Sequence, residues 1–158
     1  MKPHLTTYRY ASPRQKTEGL RLGVARQPPR GVRHQDWQRR NYFDLWLRIV
    51  APSADLVAAY KQGKGTITFA TFTRRYQSQM KAPECHQVIA LLATMAQTTP
   101  ISLGCYCENE ALCHRSLLKK LVLQEAAQNK TLSHARRNSA PSETIRLASP
   151  VCYAEEAD

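Results

Sequence analysis

Three cysteines, one histidine, one arginine and two glutamates lie within eleven residues, between Cys105 and Arg115. Cys113 and His114 are predicted to stand in the first turn of a helix, where the helix dipole and Arg115 would favour a thiolate. A thiolate and an imidazole together can perform nucleophilic and acid–base chemistry, although consecutive helical side chains point about 100° apart. His114 would therefore act on a bound ligand. The candidate catalytic residues are Cys113, His114 and Glu108, and the alternative is a free cysteine that packs beneath the helix.

The same segment also offers metal ligands. Cys105, Cys107 and Cys113 supply three soft sulfur donors within nine residues, and His114 or Glu108 could provide a fourth donor to zinc. Cys105 and Cys107 would face the same way only if the preceding strand continues through both residues. Structural zinc sites normally pair two Cys-x2-4-Cys knuckles, and the sequence offers no second knuckle. The spacing therefore disfavours zinc relative to a thiol site.

An anion is the third ligand class that these residues could serve. The N terminus of the predicted helix would present free N–H groups to a phosphate or nucleotide, and Arg115 would add charge. Arg26, Arg30 and Arg33 follow a predicted strand and could complete the crevice, with Gly31 allowing close backbone approach. The alternative for each arginine is a solvated surface position. The glycine patterns of phosphate-binding loops and dinucleotide folds are absent from the sequence.

The distribution of charge suggests a different class of function. The formal net charge is +11, and residues 1–48 carry eleven Lys/Arg against three Asp/Glu. In this part of the chain basic residues alternate with aromatic ones, a composition typical of surfaces that neutralise a phosphate backbone and stack on bases. The residues concerned are Arg9, Arg14, Arg21, Arg33, Arg39, Arg40 and Arg48, with Tyr8, Tyr10, Trp37, Tyr42 and Trp46. The alternative to an enzyme is therefore a basic nucleic-acid-binding protein without catalysis.

Strand-like and helix-like segments alternate along the first 128 residues. Alternating apolar residues predict strands over residues 5–10, 20–26 and 101–106, and helical spacing predicts helices over 42–50, 69–80, 84–96 and 112–128. Ser53 is a plausible N-cap for a further short helix. This order predicts one compact three-layer α/β domain over residues 1–128, with a small, mostly parallel sheet flanked by helices. Residues 129–158 are polar and are predicted to form a disordered tail.

The chain has no segment suited to a membrane. No stretch approaches the roughly 18 to 20 apolar residues of a membrane span, and the first residues lack a signal-peptide pattern. We therefore expect a cytoplasmic protein with no membrane partner. In that compartment the five cysteines are expected to act as thiols, ligands or nucleophiles rather than as disulfides.

Several short motifs, in order, are similar to those of domain-of-unknown-function family 488 (DUF488), in particular its YeaO-like branch. The resemblance covers residues 6–123. The motifs are Arg26-Gln-Pro-Pro29-Arg30-Gly31-Val32, Leu45-Trp46-Leu47 leading into Ala51-Pro52-Ser53, Phe72 with Tyr76, and the Cys-Tyr-Cys-Glu segment with Cys113-His114-Arg115-Ser116. The resemblance implies a compact α/β fold and a shared site, but no established activity.

The chain departs from the family pattern at two motifs. The first motif usually begins Asp-Arg-x-Trp-Pro, whereas this chain has Ala25 and Pro28 in place of the acid and the tryptophan. The aromatic helix usually ends in Glu-Leu, whereas this chain has Gln79 and Met80. Neither of those carboxylates can therefore act as a base here. The residues that carry over from the family pattern are Arg26, Arg30, Cys113, His114 and Arg115.

Overall fold

A computed structural model describes residues 2–138, with side chains as far as residue 131. Within that range the chain forms four strands and four α-helices. The strands are β1 (Leu5–Arg9), β2 (Leu20–Gly23), β3 (Leu45–Trp46) and β4 (Ile101–Cys105), and the helices are α1 (Ala54–Tyr60), α2 (Phe69–Gln79), α3 (Pro83–Met95) and α4 (His114–Asn138). The sheet has the order β1-β4-β2-β3, and every pair is parallel. The predicted compact α/β fold is confirmed, with a sheet that is entirely rather than mostly parallel.

One face of the sheet packs against the helices. Leu5 of β1 is in register with Ile101 of β4, and Leu22 of β2 is in register with Leu103 two residues further on. These side chains share one buried cluster with apolar residues from all four helices. Ser53 caps α1 by accepting from the Leu56 amide, and proline opens α3 in the first turn, where its missing N–H costs nothing.

The other face of the sheet is covered by loops instead of helices. Tyr8, Gly23 and Gly104 are in register on this face, where the Tyr8 hydroxyl donates to the Tyr42 carbonyl. The buried Arg21 side chain donates to backbone carbonyls of the two connecting loops that precede and follow β2. The third layer of the domain therefore consists of irregular loops. The sequence predicts helices in this layer.

The segment over residues 42–50 is not the helix that its apolar spacing predicts. It contains β3 and a short 3-10 turn over Arg48–Val50. The Asp44 and Leu47 amides donate to carbonyls of β2, and the Trp46 indole donates to the Ala25 carbonyl. Tertiary partners therefore take the donors that a helix would have used internally.

The last helix is longer than predicted. Its predicted end is Gln128, but α4 continues to Asn138. Residues 139–158 of the predicted tail lie outside the described residues, so the division at residue 128 stays a prediction. Among the described helices, none is both long enough and apolar enough to span a bilayer.

Asp44 links the loops of the irregular layer and makes the fold sensitive to acid. Burial would raise the pKa of Asp44, but hydrogen bonds from Arg14, the Arg21 amide and Gln38 outweigh it, so its pKa lies below the usual 3.8. A lowered folded-state pKa stabilises the fold above the unfolded value, and that contribution is lost as the pH falls through the folded value. We expect urea unfolding at about pH 3 to show a smaller stability difference between wild type and Asp44→Asn than at pH 7. An unchanged difference would contradict this.

Candidate functional site

The candidate site lies where β4 ends and α4 begins, at the carboxyl edge of the parallel sheet. Cys105 is the last residue of β4, and His114 is the first residue of α4. Between them the chain makes a 3-10 turn over Glu110–Leu112, which the Asn109 side chain caps by accepting from the Ala111 amide. This turn folds the second half of the segment back onto the strand end.

The turn brings three sulfur atoms and one imidazole together, and we call Cys105, Cys107, Cys113 and His114 the thiol cluster. The Cys105 and Cys107 Sγ atoms are 3.9 Å apart. The His114 Nδ1 atom lies 4.0 Å from the Cys105 sulfur and 3.9 Å from the Cys113 sulfur. Cys105 and Cys113 are only 4% and 1% exposed, whereas Cys107 is half-buried. Cys107 is therefore the most accessible sulfur of the cluster.

A single hydrogen bond determines how His114 presents its ring. The Nε2 atom lies 2.8 Å from the carbonyl oxygen of Val24, and a carbonyl can only accept, so Nε2 carries the proton. Burial lowers the pKa of His114, with the Val24 bond opposing the shift. The ring is therefore neutral, and the lone pair on Nδ1 faces the sulfur atoms.

The three thiols have different affinities for a proton. Hydrogen bonding from Cys105 and then from Cys113 lowers the pKa of Cys107 to about 3, against the effect of burial. Hydrogen bonding to Cys107 raises the pKa of Cys105 to about 12, and hydrogen bonding to Cys105 and Cys107 raises that of Cys113. The three thiols titrate as one coupled group, and the partial exposure of Cys107 and the nearby Arg115 cation favour Cys107 as the carrier of a single negative charge.

Arg115 supports the cluster from behind. Its side chain is buried, and an Nη atom donates to the Cys107 carbonyl at 2.6 Å. The described residues provide no carboxylate partner for this cation, and its Nε atom has no hydrogen-bond acceptor among them. The structure thus places Arg115 beneath the Cys107 backbone and away from the wall of the pocket described next.

A pocket of about 470 Å³ opens above the thiol cluster, and we call it the thiol pocket. Its floor contains the four cluster residues, and its walls are mainly apolar side chains contributed by the chain before α1, by α1 and α2, and by the β4–α4 turn. Those wall residues are Pro52, Val57, Tyr60, Phe72, Tyr106 and Leu112. The Tyr60 hydroxyl donates to the Leu112 carbonyl at 3.3 Å, which ties α1 to the turn. The pocket therefore suits a ligand with an apolar body.

Of the four predicted ligand-binding residues in the Arg26–Arg33 loop, only one lines the thiol pocket. Arg26 does so, and its buried Nε atom has no hydrogen-bond partner among the described residues. Arg30 is exposed near Tyr106, whose pKa burial raises to about 12 and Arg30 partly lowers. Arg33 is exposed and pairs with Asp36, and Gly31 faces solvent. The loop thus contributes one cation to the pocket.

Glu108, the third candidate catalytic residue, lies at the surface of the protein. Its side chain is 79% exposed and forms an ion pair with Arg9 at 2.9 Å. The pair lies in a second cleft of about 360 Å³, which shares Gln62, Tyr106, Cys107 and Leu112 with the thiol pocket. Glu108 therefore lies at the outer edge of the site. Among the described residues, its side chain pairs with Arg9 and not with His114.

The aromatic and basic residues of the N-terminal third do not form the continuous surface that their sequence order suggests. Tyr8 and Tyr10 are buried, and Arg21 is fully enclosed. Arg14 and Arg39 are engaged by carboxylates of neighbouring residues. The buried aromatic rings among these residues are therefore not available as stacking platforms for bases.

Comparison with known families gives one match. A family model described as "Active DUF488-N3 subclade" matches residues 5–126. The match confirms the DUF488 resemblance, whereas the YeaO-like branch stays a prediction. Neither the curated proteins nor the solved structures give a significant match to the chain.

Proposed function

We propose that this chain, which belongs to the DUF488 family, binds a small anionic ligand with an apolar body in the thiol pocket, with Cys107 as the reacting thiol. The carrying observation is the convergence of three sulfurs and an unprotonated imidazole nitrogen on the floor of that pocket. Perturbed titratable groups in a pocket are a recognised sign of a functional site. The word "Active" in the description of the matched subclade agrees with a chemical role.

The roles within the pocket follow from exposure and contact. Cys107 is the accessible sulfur, so it replaces Cys113 as the proposed nucleophile, and Cys113 instead packs beneath it. Arg26 is proposed to hold the anionic group, because a buried guanidinium nitrogen without an acceptor gains most from a charged oxygen. His114 and Arg115 are positioning residues, the first through the Val24 carbonyl and the second through the Cys107 carbonyl.

Alkylation tests the assignment of Cys107. We expect iodoacetamide to modify Cys107 at least about tenfold faster than Cys105, Cys113 or Cys85 in folded, chelator-treated protein, because the other three are buried. Peptide mapping by mass spectrometry resolves each cysteine, including Cys152, which lies outside the described residues. Equal rates at Cys107 and Cys113 would overturn the assignment.

Protection against alkylation tests the ligand class. Phenyl phosphate combines an apolar ring with one anionic group, so it should slow modification of Cys107 more than inorganic phosphate does. Replacing Arg26 with Gln should weaken the protection by about tenfold, the effect of losing one charge-assisted hydrogen bond. Arg33→Gln is the matched control, because it removes the same charge outside the pocket. The anion proposal fails if phenyl phosphate does not slow alkylation of Cys107. It also fails if phenyl phosphate protects Cys107 equally well in Arg26→Gln and in Arg33→Gln.

A further inference from the structure

The spacing of Cys105, Cys113 and His114 is close to that of the edges of a metal coordination sphere, and the Cys107 sulfur adjoins that of Cys105. Bonds of about 2.3 Å to sulfur and about 2.0–2.1 Å to nitrogen give tetrahedral edges of about 3.8 Å between sulfurs and about 3.6 Å between sulfur and nitrogen. The observed separations are 3.9 Å between Cys105 and Cys107, and 3.9–4.0 Å from His114 Nδ1 to two sulfurs. These separations are also within hydrogen-bonding range for sulfur, so the spacing permits a central ion, and the orientation of His114 has to decide between the two arrangements.

The orientation of His114 favours a central ion. Histidines that bind metals usually donate the other ring N–H to a carbonyl or carboxylate, which fixes the tautomer and aims the free nitrogen at the metal. His114 has this arrangement, because Nε2 donates to the Val24 carbonyl and Nδ1 faces Cys105 and Cys113. The ligand atoms of these three residues all lie within 4.8 Å of one another, and all three residues are buried.

A zinc ion bound to all four donors would give the cluster a net charge of −1, the sum of three thiolates, one neutral imidazole and Zn²⁺. Arg115 is a buried cation that contacts the Cys107 carbonyl and lacks a carboxylate partner among the described residues. A buried cation is costly without a negative charge beside it, and an anionic metal centre that includes the Cys107 thiolate would supply that charge.

We infer that Cys105, Cys113 and His114 bind a zinc ion, and that Cys107, whose sulfur adjoins that of Cys105 on the pocket side, closes onto the ion as the fourth ligand. The missing second knuckle, which argues against zinc in the sequence, is supplied by the fold because the turn after β4 returns Cys113 and His114 to the strand end. Zinc matches this mixture of thiolate and imidazole donors. Binding displaces protons from those thiols that carry them. Zinc would hold Cys107 as a ligand, so the reacting thiol proposed above is a property of the metal-free chain, and the zinc site does not depend on whether the pocket also takes an anion.

Zinc content and affinity test the inference. The full chain, purified without a polyhistidine tag, should contain close to one zinc per molecule. Competition with a chromophoric chelator should show that Cys113→Ser lowers zinc affinity by about 100-fold or more, since it removes one of four ligands. Cys85→Ser is the matched control, because Cys85 is a buried thiol outside the cluster that donates to the Ile49 carbonyl. We expect Cys85→Ser to retain the wild-type affinity.

Two measurements on the wild-type chain keep the test decisive if Cys113→Ser fails to fold. Co²⁺ added to metal-free protein should give the intense d–d and thiolate charge-transfer bands of a tetrahedral site, and Zn²⁺ alone should protect Cys107 from iodoacetamide. Wild-type protein that binds neither metal, or that binds zinc no better than Cys113→Ser, would overturn the inference. Protection by phenyl phosphate is measured separately in chelator-treated protein, so failure of the ligand proposal is distinguishable from failure of the zinc site.

Discussion

Replacing Glu18 with Gln should lower the free energy of unfolding by about 3–5 kcal/mol, because it leaves the Arg21 charge buried without a counter-charge. The Arg21 side chain is 0% exposed, and its guanidinium lies 2.6 Å from a Glu18 carboxylate oxygen. The ring of Tyr8 covers the guanidinium at 4.2 Å. Neutral carbonyls satisfy the remaining Arg21 donors but cannot balance the charge. Urea unfolding followed by circular dichroism measures the loss.

The matched control for that substitution is Glu108→Gln, which removes a carboxylate from an exposed pair with Arg9. Exposed ion pairs contribute at most about 1 kcal/mol, so this variant should unfold close to wild type. Adding Arg21→Met to Glu18→Gln should recover part of the lost stability, because the buried charge is removed together with its partner. If Glu18→Gln and Glu108→Gln cost the same, the buried pair does not determine stability.

Periodicity in the sequence predicts the elements that bury one regular face. The apolar spacing of α2 and α3 and the alternation in β1 describe faces that pack into one core, so the pattern and the structure agree for them. The segment around Trp46 fails the same test, because the apolar residues of its helical spacing do not share one buried face: Leu45 and Ile49 are exposed, whereas Val50 is buried. The indole donates to Ala25, a residue 21 positions earlier in the chain. A single hydrogen bond of this kind adds no regular spacing to the pattern of apolar residues.

For the candidate site, the sequence predicts the features that depend on neighbouring residues and misses those that depend on distant ones. The sequence brings Cys105, Cys107, Cys113 and His114 together because one strand, one turn and one helix start hold them. It cannot indicate which sulfur is accessible or which ring nitrogen is free, since the Val24 carbonyl that sets the tautomer is 90 residues away from His114. The pocket walls were also missed, because the spacing of the aromatic residues of α1 and α2 looks the same whether they fill a core or line a pocket.

Replacing Gly104 with Val should lower the free energy of unfolding by about 3 kcal/mol or more. Gly104 is paired with Tyr8 in the parallel register, and a Cβ atom at Gly104 would overlap the Tyr8 ring. That ring cannot shift without loss, because its hydroxyl donates to the Tyr42 carbonyl and its face covers Arg21. Overpacking a filled site costs about 1–3 kcal/mol, and disturbing the buried cation adds to that cost. Thermal and urea unfolding measure the sum.

A second substitution separates steric overlap from the general effect of valine in a strand. Thr7→Val places the same side chain one residue from Tyr8 on the opposite face of β1, and it should change stability by less than about 1 kcal/mol. Combining Gly104→Val with Tyr8→Ala makes room for the added methyl groups, so the two costs should sum to more than the cost of the double variant. Simple additivity would mean that the Tyr8 ring is not what excludes a side chain at Gly104. If the costs are not additive, the coupling energy between Gly104→Val and Tyr8→Ala measures how tightly the irregular layer packs over β4, the strand that ends at Cys105.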